Sequence, residues 1–216
     1  LYASGANDNA DMYVRNMETG QDTQLTAEDT DDDEPAWWPD GESIVFRSAR
    51  DDAFWQPQPD GGMWRTPDIY RLDLATGQLA NLTRSTDAEL MPAVSPDGTR
   101  VVYAIQTVVG DMNLYVLNVA TSKSRRLTNY LTAFTFFPCW SPDGQHIVFN
   151  SWDRRSPEDM PRLVIVGASD GTELVPPRFG LSDFHPSWHG SGLPVAPTGA
   201  ALTSWGAIRT GIQVKP

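Results

Sequence analysis

The 216-residue chain has a single cysteine, Cys139, so no disulfide within the chain is possible and cysteine usage does not reveal the redox compartment. No apolar run approaches the ~20 residues that a membrane-spanning helix needs. No signal peptide is visible. The first residue is Leu1 and not Met, so the sequence reads as a processed protein or as part of a longer one. Positive charge is scarce: 16 Lys and Arg stand against 28 Asp and Glu, a net charge of −12. That excess excludes nucleic acid and anionic membrane surfaces as expected direct partners. Also missing is any long stretch with apolar residues at i, i+3, i+4 and i+7, the period of an amphipathic helix. Histidine numbers only three, and no Gly-x-Ser-x-Gly elbow or Gly-rich phosphate loop is present.

What is abundant is turn chemistry, with 17 glycines and 17 prolines. One turn is written three times: Trp37-Trp38-Pro39-Asp40-Gly41, Val94-Ser95-Pro96-Asp97-Gly98 and Trp140-Ser141-Pro142-Asp143-Gly144. Pro presets φ near −65°, Asp can bond its own backbone, and Gly accepts the positive φ that follows. Each copy lies between apolar stretches such as Pro138-Cys139-Trp140 and Ile147-Val148-Phe149, so each reads as a hairpin. A third alternating strand follows: Asp11–Met17 in an early copy, then Asp68–Leu74 and Asn113–Val119. A fourth short strand ends at Leu25-Thr26, Leu82-Thr83 and Leu127-Thr128. Four short antiparallel strands repeated in tandem describe an all-β chain, a β-propeller. The blades read as 1–26 (partial), 34–83, 91–128, 138–176 and 185–192 (partial), with a Pro/Gly-rich tail or degenerate blade at 193–216.

Pro-x-Trp-Ser-Pro-Asp-Gly-x-x-Ile-Val-Phe, then Asp-Ile-Tyr, then Leu-Thr, resembles the repeat of TolB-type, WD-repeat-like propellers over residues 1–192. The resemblance implies a bacterial protein, periplasmic or extracellular, whose blades form a binding platform. The family's usual six blades contrast with three whole and two partial ones here. Two readings follow: a fragment of a larger propeller, which is favoured, or a four-bladed ring closed by the end strand. The same blades precede the hydrolase domain of prolyl-oligopeptidase-like enzymes, and some propellers are channel-site enzymes. The alternative function is therefore a regulatory or substrate-gating propeller whose catalytic part lies elsewhere.

Strand parity gathers the long connections at one end, opposite the tight turns, and long loops on a rigid scaffold carry binding residues. The acidic stretch 27–35 reads as a solvated loop, with Asp29, Asp31 and Asp33 alternating as calcium ligands do. The insertion 51–67 offers Phe54, Trp55, Met63 and Trp64, of the types enriched at hot spots. Segment 128–138 adds Tyr130 and Phe134, and 152–161 adds Trp152 and the basic pair Arg154 and Arg155. Trp37, Trp140 and Trp188 read as packing between blades. His146, His185 and His189 do not fall at metal or catalytic spacing, and Cys139 reads as buried and inert. The expectation is a non-catalytic module that binds a protein partner or joins a larger assembly, with no cofactor beyond a weak calcium candidate.

Overall fold

The structure is a computed structural model and describes residues 1–5, 9–50, 55–57, 62–107, 110–153, 155, 161–174, 186 and 188. Every regular element among them is a strand. Blade 1 has three: β1 Tyr2–Ser4, β2 Asp11–Arg15 and β3 Asp22–Gln24. Blade 2 comprises β4 Asp32–Trp37, β5 Ser43–Ser48, β8 Asp68–Asp73 and β9 Leu79–Asn81. Its insertion forms a separate hairpin of β6 Trp55–Pro57 and β7 Met63–Arg65. Blade 3 comprises β10 Ala88–Val94, β11 Arg100–Gln106, β12 Met112–Asn118 and β13 Lys123–Arg126. Blade 4 comprises β14 Ala133–Trp140, β15 His146–Asp153, β16 Arg162–Gly167 and β17 Glu173–Leu174. Within each sheet the strands are antiparallel and lie in sequence order.

The repeated turn works as its chemistry requires. The N–H groups of Gly41, Gly98 and Gly144 bond the carbonyls of Trp38, Ser95 and Ser141, at 3.0, 2.8 and 2.9 Å. The three glycines sit at φ 71°, 70° and 67°, where a Cβ would be strained. The Asp97 carboxylate accepts from the Ser95 hydroxyl and from the Thr99 N–H and hydroxyl, which lowers its pKa to about 2.

The first strand of each whole blade begins before the proline-centred pattern suggests, at Asp32, Ala88 and Ala133. A bulge explains why. The register shifts between Asp33 and Ala36, between Leu90 and Ala93, and between Phe136 and Cys139. At each bulge a non-glycine residue takes positive φ: Glu34 at 53°, Met91 at 55° and Phe137 at 55°. The extra residue breaks the alternation that would have revealed the strand.

The Leu-Thr mark closes blades 1 to 3. The Leu25, Leu82 and Leu127 N–H groups make the last rung, each at 2.8 Å, to the carbonyls of Met12, Ile69 and Leu114. Those same three residues then donate their own N–H to the hydroxyls of Thr26, Thr83 and Thr128, at 3.0, 3.1 and 2.9 Å. The threonine side chain thus satisfies a donor that the short fourth strand cannot reach.

Middle strands bury both faces. Val101, Tyr103 and Ile105 of β11 pack with Val45, Ile69 and Trp38 of blade 2. Val102 and Ala104 pack with Ile147, Phe149, Val164 and Val166 of blade 4. Between blades 1 and 2, Met12 meets Ile44, Phe46 and Tyr70. The tryptophans divide differently from the expectation. Trp140 is buried and its Nε1 donates to the Ala93 carbonyl at 3.0 Å. Trp188 donates to Cys139 at 3.4 Å, the equivalent bond one blade on. Trp37 does not share this role: it is 44% exposed, and Trp38 is the buried member of the pair, under the Arg71 guanidinium.

Replacing Thr128 by Val keeps its shape and orphans the buried Leu114 N–H. Urea unfolding of that variant should show a loss of roughly 1–3 kcal/mol, with Thr128→Ser close to wild type. Equal midpoints for the Val variant and wild type would contradict the closing role.

Candidate functional site

Each hairpin of first and second strands is closed by the tight turn at one end and open at the other. The open ends lie at Asp32/Ser48, Ala88/Gln106 and Ala133/Asp153. The connection from β1 to β2, the insertion and the links between blades all leave from this end.

The acidic segment is not a solvated loop throughout, because Asp32–Trp37 is β4. Its carboxylates have separate tasks. Asp29 is exposed, and Asp31 accepts the Ala10 N–H at 2.9 Å. Asp33 holds the Arg47 guanidinium with two bonds of 2.5 and 2.6 Å. Asp32 is fully buried against Arg50, which also reaches Ser48 and lies over the rings of Phe46 and Tyr70. The alternation that suggested calcium ligands is in part that of a strand. Among the described residues no group of three or more His, Cys, Asp or Glu is placed to hold a metal ion.

Segment 128–138 is likewise mostly strand from Ala133 onward. Phe134 and Trp152 are cross-strand partners at the open end of blade 4, their rings stacked with centroids 6.1 Å apart and planes at 27°. Leu131, two residues before β14, is 72% exposed. The Asp153 carboxylate fixes the rim, accepting the Arg155 N–H at 2.9 Å and the Thr132 hydroxyl at 3.0 Å. Those bonds lower its pKa, the Arg155 N–H contributing most. Tyr130 faces inward: its N–H bonds Asn113 at 2.7 Å, its ring lies against Phe149, and burial raises its phenol to about 12. Trp55, Met63 and Trp64 lie on the β6–β7 hairpin at the same end of blade 2. Phe54 and Arg154 lie outside the described residues, as do His185 and His189. Cys139 is half-buried, and burial raises its thiol.

Leu131 and the bulge row were missed by sequence reasoning. The first two bulge side chains accept the bulge N–H of the next blade: Glu34 from Met91 at 2.6 Å, then the Met91 sulfur from Phe137 at 3.3 Å. The only sequence signal is the proline that follows each, at 35, 92 and 138. Burial pushes the Glu34 carboxyl up, opposed by Arg47.

A family model described as the TolB beta propeller domain matches residues 63–174. The chain belongs to the TolB beta-propeller family. It is similar to an uncharacterised protein of Agrobacterium fabrum, 32% identical over 117 residues that make up 54% of this chain and 35% of that protein. It is similar also to the Tol-Pal system protein TolB of Francisella tularensis, 30% identical over 95 residues, 44% of this chain and 19% of that one. The matches thus span about a third or less of these curated relatives. Among solved structures, TolB from Acinetobacter baumannii aligns with a TM-score of 0.63 at 22% identity, over 86% of this chain and 42% of that one. An oligogalacturonate lyase in complex with manganese aligns with a TM-score of 0.57 at 18% identity, over 83% and 48%. At these identities the structural likeness concerns the fold alone.

One buried acid lacks a cation. Glu89, on β10 between blades 2 and 3, is 1% exposed, and its Oε2 has no hydrogen-bond partner. Burial, assisted by the charge of Asp68, raises its pKa to about 8, against the opposing contributions of Thr83, Ser85 and the Ile69 N–H. The unfolded chain loses this proton near pH 4.5 while the folded chain keeps it to about 8, so ionisation destabilises the fold progressively across that window. Glu89→Gln should therefore be more stable than wild type at pH 8, with the difference shrinking toward pH 4.5. Parallel stability profiles from urea titrations at both pH values would contradict this account of Glu89.

Proposed function

We propose that this chain is a non-catalytic, protein-binding part of a propeller, presenting a preformed face at the open end of its blades. The observation that carries the reading is the Phe134–Trp152 stack at the open end of blade 4, on a rim held by Asp153, with Leu131 exposed on the segment that leads into β14. Partly exposed aromatic side chains held in place by packed strands suit a partner that binds without rearranging the platform. Arg155 is exposed at the same rim, and the β6–β7 hairpin, whose strands contain Trp55, Met63 and Trp64, leaves from the same end of blade 2.

Membership of the TolB propeller family supports partner binding, and the Francisella relative is named as a protein of the Tol-Pal system. By extension we propose an envelope setting, periplasmic or extracellular, for this chain. No helix among the described residues is long and apolar enough to cross a membrane.

The test is affinity capture from an envelope extract of the source organism, with wild type and a Leu131→Asp/Trp152→Ala variant as baits, read by quantitative mass spectrometry. A protein enriched on wild type should fall by about tenfold on the variant, the scale of a hot-spot loss, while circular dichroism stays native. Equal capture by both baits would remove the blade 4 face from the proposal.

A further inference from the structure

The outermost strands of the four blades differ in charge. β3 carries Asp22, β9 no charge and β17 Glu173, whereas β13 reads Lys123-Ser124-Arg125-Arg126 with all four residues exposed. Five of the described arginines, at positions 15, 47, 50, 71 and 162, form ion pairs with carboxylates. Lys123, Arg125 and Arg126 do not, although the chain carries a net charge of −12. Their hydrogen bonds go to backbone instead: Arg125 to the Ala168 carbonyl at 3.0 Å and to that of Arg126 at 3.5 Å, and Arg126 to that of Thr128 at 2.8 Å. Asp170, on the turn after β16, is close enough for Arg125 to help lower its carboxyl, whose main hold is the Thr172 N–H.

Among the described residues the strand is also an unpaired edge of its sheet. Its register sets Lys123 opposite Asn118 and Arg125 opposite Val116, with Ser124 and Arg126 opposite Leu117 and Tyr115. Leu127 turns its N–H inward to Leu114. By antiparallel alternation the backbone groups of Ser124 and Arg126 then point away from the blade. Lys123 and Arg125 share the side toward blade 4, as the reach of Arg125 to Ala168 shows. The Tyr103 hydroxyl bonds Ser124 at 2.7 Å and ties the strand to the interior.

We propose that β13 is a second interaction surface, which adds an extended acidic segment of a partner protein as a fifth strand of blade 3. The partner's backbone would pair with Ser124 and Arg126. Its carboxylates, at alternating positions, would face Lys123 and Arg125 across the new ladder. Charge complementarity selects this occupant: an edge with three exposed, ion-pair-free cations favours a strand rich in Glu or Asp and rejects a basic one. This surface lies on the circumference, away from the blade 4 rim, so it stands or falls independently of the function proposed above.

The test is fluorescence anisotropy with a labelled peptide of alternating Glu and Val, and with its Gln-for-Glu counterpart. The acidic peptide should bind about tenfold more tightly than the Gln peptide, and Lys123→Glu should weaken it by a similar factor, as removal of a complementary charge does. The Lys123 side chain makes no hydrogen bond among the described residues, so this variant leaves the fold alone; Arg125→Gln is a second variant expected to act in the same direction. A peptide N-methylated at alternate amides should lose binding. Equal binding of the two peptides, full affinity of the Lys123→Glu protein, or undiminished binding of the methylated peptide would overturn the proposal. So would retention on phosphatidylglycerol vesicles with no peptide binding, which would identify β13 as a lipid-facing patch.

Discussion

A sheet buried on both faces has no side to turn toward water, and the rest of this structure depends on that constraint. Val101, Tyr103 and Ile105 need blade 2 as much as Val102 and Ala104 need blade 4. Blade 3 alone would leave both of these apolar sets in water. The blades therefore stand as a stack, and polar bonds set their alignment. Trp140 to Ala93, Glu34 to Met91 and Met91 to Phe137 each join one blade to the next. Arg100 continues the pattern, bonding the Gly144 carbonyl at 2.9 Å while lying over the Trp140 ring.

The stack leaves two kinds of surface to function. At the open ends of the hairpins, side chains leave the interior with their backbone still held in the ladder. Phe134 and Trp152 are thus exposed in part yet fixed, which a free loop of the same composition would not achieve. At the circumference the fourth strands are short, and among the described residues their outer edges are unpaired. Three of these edges carry at most one charged residue, an acid, and the fourth carries three cations. Charges on an edge also discourage unwanted pairing, and here they do so selectively, by admitting acidic strands.

Much of the fold was legible in the sequence because turn chemistry repeats without ambiguity. Pro-Asp-Gly and Leu-Thr recur in order, and each has a local physical task that the structure shows directly. The bulges were less legible: a single residue at positive φ before each proline hides the start of β4, β10 and β14. That is why 27–35 and 128–138 read as loops. Trp37 misled by position, since the neighbouring Trp38 takes the buried place in blade 2. For the candidate site, Phe134 and Trp152 were legible as aromatics at one end of a blade. Their stacking was not, because it depends on register across a bulge. Leu131 carried no signal beyond its type, and the Lys123–Arg126 run was passed over for Arg154 and Arg155, although its spacing on a short edge strand was readable.

Hydrogen–deuterium exchange of the free chain, resolved by amide, tests most directly whether the blades form one platform. The account predicts that the Met91 and Phe137 amides, held across blade seams, exchange as slowly as the buried amides of β11 and β15 and over a common range of opening free energy. Blade 4 exchanging much faster than blade 3, with the Phe137 amide unprotected, would contradict it. The face around Leu131 would then belong to a loosely attached sheet and not to a rigid scaffold.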